Sequence, residues 1–268
     1  MPPLDDAAEQ QADDSWDDVP ALLRVGTSPL PAPWEGRFGP LRSGVTDDLV
    51  VVGQIGQSLD GRVATRSGHS HYINGPSGLA HLHRLRAVTD AVVVGVGTAI
   101  ADDPQLTVRH CAGPCPARVV IDPRGRLPDT ARLLADDGVR RIVVTGNNLG
   151  RTWPSGVEVI ALPRENGSIE PAEILAALAR SGLRRILIEG GGNTVARFLV
   201  ARCLDRLHVV VAPLIFGSGR PSLSLAPIDN VGEALRPPMG IHDLGGEVLF
   251  DCDLSAYRRQ VGVAKKST

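Results

Sequence analysis

Aromatic residues make up only 3% of this 268-residue sequence. A core built from it must be aliphatic, drawn from Val, Leu, Ile and Ala, as in buried strands of parallel type. There is no basic excess: the formal net charge is -2, which argues against a nucleic-acid binder. No apolar stretch is long enough to span a bilayer, and the acidic N-terminus has no apolar run of the signal-peptide kind. The four cysteines, Cys111, Cys115, Cys203 and Cys252, are scattered. In a chain of this length they read as reduced thiols of a cytoplasmic protein, not as a disulfide framework. Cys111 and Cys115 have no second ligand pair at metal-site spacing. The pairs His69/His71 and His81/His83 are each two residues apart, so the second pair does not share one face of a helix. No metal is expected. Gly-x-Ser-x-Gly is absent, which removes the nucleophile elbow. Lysine occurs only at positions 265 and 266, a compositional trait without mechanistic weight.

What is present is enough for a core, since 43% of the residues are hydrophobic. Residues 1–18 hold seven acids and no base, and residues 1–20 are expected to be mobile. Beyond them bases outnumber acids, a mild bias that suits a phosphorylated ligand. Residues 21–48 form a Pro- and Gly-rich extension, expected to lie as an irregular arm across the body. The body itself is expected over residues 49–260.

Apolar runs predict strands at 49–55, 91–96, 118–121, 141–145, 157–162, 185–189 and 206–212. A closing pair at 240–244 and 247–254 is joined through Gly245-Gly246, a hairpin signal. Helices are predicted at 76–87, 171–180 and about 194–202, with a helix or turn after Thr98. Pro76 suits a first helical position, and Leu79, Leu82 and Leu85 share one side of that helix. Alternating strands and helices imply an α/β fold with a doubly wound mixed sheet, mostly parallel, closed by an antiparallel C-terminal hairpin.

The strongest chemical signal is RRILIEGGGNTVARFL, residues 184–199. A strand runs into three glycines and then a helix. Such a turn offers backbone N–H groups and a helix N-terminus to a phosphate, with no Cβ to block close approach. The alternative is a tight turn without a ligand. Gly95-Val96-Gly97 also follows a strand, but Ile100 stands where a dinucleotide fingerprint needs its third glycine. Asp60, Asp102 and Asp103 fall in loops after strands, at the sheet edge where ligands bind. Each reads as a general acid or hydroxyl anchor, or as a turn or helix cap. Arg86 and Arg109 read as a phosphate clamp or as surface ion pairs. Glu189 ends a buried strand beside the glycines, where a carboxylate needs a ligand or partner.

The run SLDGRVATRSGHSHYI, then LRAVTDAVVVGVGTAIADDPQLTVR, then IEGGG, closely resembles the reductase family of riboflavin biosynthesis. The resemblance covers about residues 49–254. It implies a dihydrofolate-reductase-like fold, NADPH as cofactor, and a homodimer. The implied reaction converts the ribosyl group of a pyrimidine ribosylamine 5′-phosphate to ribityl. By motif, Gly56, Tyr72, Thr98, Asp102, Gly191, Gly192, Asn193, Thr194, Val195, Ala196 and Arg197 match NADPH-contacting positions; Tyr72 stands where the family often has Trp. Ser70, Arg86, Leu106, Arg109 and Glu189 match substrate-contacting positions. Gln54 stands where fused bacterial members commonly carry Lys. The His-x-Glu and Pro-Cys-x-x-Cys signature of the fused zinc deaminase is absent, so the resemblance is to a stand-alone reductase. In the implied reaction the ribosylamine opens to an imine that takes hydride at C1′. Asp102 or Glu189, both expected to be partly buried, is the candidate for the accompanying proton. Two other readings stay open: a dihydrofolate- or pterin-type reductase on the same fold, and a non-catalytic NADPH-binding protein.

Overall fold

The computed structural model describes residues 15–42, 44, 46–70 and 73–262. Its centre is β1, Val50–Ser58, an apolar run buried for most of its length. Eight further strands join it: β3 (Ala91–Gly95), β4 (Ala117–Asp122), β5 (Arg141–Gly146), β6 (Val157–Leu162), β7 (Arg185–Ile188), β8 (Arg206–Ala212), β10 (Met239–Asp243) and β11 (Val248–Asp253). Their order is β10-β11-β8-β1-β7-β3-β4-β5-β6. Pairing is parallel from β8 to β6, and antiparallel for β8 with β11 and β11 with β10. This is the expected mixed sheet with its antiparallel closing hairpin. The hairpin turns on Gly245 and Gly246, whose φ angles of 80° and 103° admit glycine readily.

Alternation along the strands sends Val51 and Ile55 to one face and Val50 and Val52 to the other. The first face is covered by α5 (Pro171–Arg180) and α6 (Gly192–Val200), through Ile174, Leu178, Val195 and Phe198. The second is covered by α3 (Pro76–Val88), α4 (Val96–Asp102) and the N-terminal arm. Both faces are thus packed, as a largely parallel sheet requires.

The connections from β4 to β5 and β5 to β6, where the sequence predicts no helix, hold only a 3-10 turn at Arg132–Leu134. Pro123, Pro128 and Gly138 interrupt any helical run there. The structure departs from the sequence reading at three places. A second, two-stranded sheet pairs β2 (Arg62–Thr65) with β9 (Gly219–Pro221); both strands are too short to leave a periodic trace. The arm is not irregular throughout. It carries α1 (Val19–Val25) and α2 (Glu35–Phe38), and it buries Trp16, Trp34 and Phe38. Trp16 meets Trp34 and Phe38 edge-on, at 5.1 and 5.0 Å. The stretch expected to be mobile therefore ends in a buried tryptophan; residues 1–14 lie outside the described residues.

The third departure concerns α3. Its buried residues are Gly78, His81, His83, Leu85, Arg86, Ala87 and Val88, while Leu79 is 38% exposed. The helix packs through polar side chains because polar partners await it. His81 Nε2 lies 3.0 Å from His208 Nδ1, and His208 Nε2 lies 3.1 Å from Asp251 Oδ1. Arg206 donates to both oxygens of Asp251, each at 2.7 Å. The helical histidine so joins α3 to β8 and β11.

Candidate active site

Parallel strands end at one edge, so β1, β3 and β7 deliver their C-terminal loops to the same place. A cleft of about 610 Å³ opens there. It is lined by Gly56, Ser70, Arg86, Thr98, Asp102, Leu106, Glu189, Gly191, Gly192 and Asn193 from the expected set, together with Gln54.

The three glycines serve three purposes. Gly190 takes a φ of 102°, which turns the chain out of β7. Gly191 precedes α6, and its N–H donates to Thr98 Oγ1 at 2.9 Å. A Cβ on Gly192 would collide with the Ser222 carbonyl of the loop after β9. No side chain caps α6. Gly191, Gly192 and Asn193 line the cleft at this end, and the N-terminus of the nine-residue helix is suited to a phosphate. A phosphate-bearing cofactor fits this end of the cleft.

At the inner wall Glu189 meets Arg86. Arg86 Nη2 donates to Oε1 at 2.7 Å and Nε to Oε2 at 3.3 Å, with side-chain exposures of 9% and 5%. Arg86 Nη1 also donates to the Thr107 carbonyl at 3.0 Å. The partner that Glu189 requires is therefore Arg86, and the guanidinium, read as a phosphate clamp, is largely engaged by protein. Two of its five N–H donors remain for a ligand.

Arg109 stands outside the cleft lining on an exposed loop, where Nη1 donates to Gln105 Oε1 and Thr107 Oγ1 at 2.9 and 2.8 Å. Its backbone N–H donates to His83 Nδ1 at 2.8 Å. Burial, reinforced by the Arg86 charge, pushes the His83 imidazole down to about 3. The ring stays neutral and keeps this acceptor, so it holds the loop that carries Leu106. Burial and His208 likewise hold His81 well below the usual histidine range.

Asp102 is exposed at the rim, contrary to the expected partial burial, because α4 ends there and Asp103 turns left-handed with φ 38°. Asp103 accepts from the Arg132 N–H at 2.8 Å. Asp60 is a turn anchor. It accepts from Ser58 Oγ, Phe216 N and Gly217 N at 2.6, 3.1 and 2.7 Å. Those bonds, Ser58 foremost, hold its carboxyl down at about 2.

The remaining positions of the glycine-helix segment do not line the cleft. Val195 and Ala196 point into the core, and Arg197 Nη2 donates to the Ile169 carbonyl at 2.7 Å. Thr194 packs against Gly95. Tyr72 lies outside the described residues. Among the lining residues that the sequence reading does not single out are Asn74 and Arg220. Asn74 was masked by the Gly75-Pro76 helix start beside it, and Arg220 sits in β9, which left no signal.

A family model described as the RibD C-terminal domain matches residues 50–243. The chain is 33% identical over 181 residues to the 2,5-diamino-6-ribosylamino-4(3H)-pyrimidinone 5′-phosphate reductase of Archaeoglobus fulgidus, covering 63% of this chain and 81% of that protein. It is 33% identical over 183 residues to the riboflavin biosynthesis protein RibD of Mycobacterium tuberculosis, covering 67% of this chain. It spans only 46% of that relative's length. Among solved structures, a deaminase/5-amino-6-(5-phosphoribosylamino)uracil reductase from Thermotoga maritima superimposes with a TM-score of 0.67 at 26% identity, over 76% of this chain and 56% of that one.

Proposed function

The chain belongs to the RibD C-terminal domain family, and on that premise we propose that it reduces the ribosyl group of a pyrimidine ribosylamine 5′-phosphate to ribityl, with NADPH as reductant. The observation that carries the reading is one cleft with an uncapped helix N-terminus at one wall and a buried Arg86–Glu189 pair at the other.

A reductase of this family takes its hydride from a nicotinamide-type cofactor, which when bound supplies the two electrons that saturate C1′ of the opened ribosylamine. The protein's part is binding, alignment and a proton. The first amides of α6 would hold the cofactor's phosphates, with Thr98 Oγ1 fixing Gly191 beside them. Asp102, exposed at the rim, offers acceptor oxygens to ribose hydroxyls. The free N–H groups of Arg86 reach the substrate's phosphate, and Arg109, outside the cleft lining on the exposed loop after Leu106, would have to swing in to share it. Glu189 is fixed in orientation by Arg86, and it assists proton movement at the nitrogen attached to C1′.

Two finer readings accompany this one. Ile215, Val231 and Ile241 are 72%, 72% and 65% exposed, and Ile241 lies on the edge strand β10. A homodimer would cover exposed apolar residues of this kind, and sedimentation velocity reads it directly. Four free thiols suit the reducing cytoplasm; no helix among the described residues is long and apolar enough to cross a membrane.

The test is NADPH oxidation by the purified chain with 5-amino-6-ribosylamino-uracil 5′-phosphate and with its undeaminated diamino counterpart. Turnover on either supports the reading and identifies the accepted pyrimidine. NADPH binding without turnover on either overturns the substrate assignment, and dihydrofolate is then the next substrate to assay.

A further inference from the structure

Glu247 is buried at 5% exposure on the C-terminal hairpin, and among the described residues its hydrogen-bond partners are an amide side chain and a backbone N–H. Oε2 accepts the Gly78 N–H at 2.7 Å, one of the amides that the first turn of α3 leaves without a helical partner. Oε1 accepts Asn74 Nδ2 at 2.7 Å. A carboxylate facing Asn74 settles which end of the amide points where, because an oxygen there would face an oxygen. The same Nδ2 also donates to the Val210 carbonyl at 3.4 Å. Asn74 Oδ1 is thereby turned the other way, onto Gly56. A Cβ at position 56 would coincide with Oδ1, so Gly56 is small in order to seat Asn74. Among the described residues no protein donor reaches Oδ1, and Asn74 lines the cleft.

An amide oxygen fixed in this way can only accept. A nucleotide anchored at the α6 N-terminus lies beside the end of β1, since β1 is the neighbour of β7, about 4.8 Å away. Toward α4 the cleft is polar, with Thr98 and Asp102, which suits ribose hydroxyls. Toward α3 it is walled by Ile73, Leu79 and Leu82, which suits a flat ring. Asn74 stands at that ring end. We infer that Asn74 Oδ1, oriented by Glu247, accepts a hydrogen bond from the carboxamide N–H of the cofactor's nicotinamide ring, with Asn74 a contact residue and Glu247 a positioning residue. This rests on the reductase reading above.

The experiment compares the full chain's binding of NADPH with its binding of the reduced 3-acetylpyridine analogue, in which a methyl ketone replaces the carboxamide and removes the N–H donor. Calorimetry reads affinity without turnover. The wild-type protein prefers NADPH by about 2- to 10-fold, the worth of one net hydrogen bond. Asn74→Ala binds both ligands alike, and Glu247→Gln loses the preference although it touches neither. A purely structural role would weaken both ligands equally and leave the ratio intact. Retention of the preference in Asn74→Ala overturns the inference and leaves the reductase reading standing. Loss in Asn74→Ala but not in Glu247→Gln overturns only the positioning by Glu247. Failure of the wild-type protein to bind NADPH overturns both readings.

Discussion

Glu189 and Asp102 have the same chemistry and sit in different surroundings, which separates their expected effects. Glu189 shares two hydrogen bonds with Arg86 inside the protein. Glu189→Gln leaves a buried guanidinium without its counter-charge, a change that costs about 3 kcal/mol of stability. The proposed proton role adds a fall in kcat of about 10²-fold or more. Asp102 is exposed, so Asp102→Asn leaves stability unchanged and acts mainly on the cofactor's KM. Urea unfolding and steady-state kinetics on the two variants separate these outcomes. Equal and small effects on kcat from both would remove Glu189 from the chemistry. Either residue could be flagged from its place after a strand, but only the neighbouring Arg86 and the end of α4 decide which is buried.

At the scale of the element, α3 is unusual in burying two histidines. Both are held neutral, His83 at about 3 and His81 well below its usual value. The unfolded chain protonates both near the ordinary value of 6.5. Below that pH the unfolded state therefore binds protons that the folded state refuses, and stability falls as pH drops. For His83 the loss accumulates from pH 6.5 down to about 3. His83→Gln keeps an acceptor for the Arg109 N–H and cannot titrate, so its stability declines less steeply across this window. Urea midpoints measured above and below pH 6.5 check it; an unchanged slope would assign the decline to His81 and other groups. Asp251 works in the opposite sense. Burial alone would raise its carboxyl, but His208 and Arg206 together hold it well below the usual range. Its contribution is complete above the ordinary carboxylate value and is lost only in stronger acid.

At the scale of the whole molecule, the arm is part of the fold. The family match begins at residue 50, yet residues 15–42 place Trp16, Leu23, Trp34 and Phe38 in the same core as Leu85 and Val92. Arg185, at the start of β7, donates to the carbonyls of Leu23, Leu41 and Arg42 at 3.2, 3.3 and 3.0 Å. Trp16 Nε1 donates to the Ala112 carbonyl at 2.8 Å. Trp34→Ala therefore costs about 3 to 5 kcal/mol, and truncation to residue 49 exposes the part of that face which α3 and α4 leave to the arm. A truncated chain that unfolds at the wild-type denaturant concentration would show the arm to be dispensable.

The amino-acid pattern settles the local order of elements and the edge at which ligands bind. Long aliphatic runs admit only buried strands, and glycine and proline mark where they stop. It also carried the residues of the cleft in IEGGG and in the loops after the strands. Tertiary structure alone decided how those residues are used. Arg86 and Glu189 are 103 residues apart in the chain and pair only because α3 crosses above the end of β7. His81, His208 and Asp251 look like unrelated polar positions until three elements bring them together. Glu247 and Asn74 meet across 173 residues. A periodic pattern reports which face of an element is buried, but it carries nothing about what lies opposite. Partner choice between distant polar groups is therefore visible only once the chain has closed on itself.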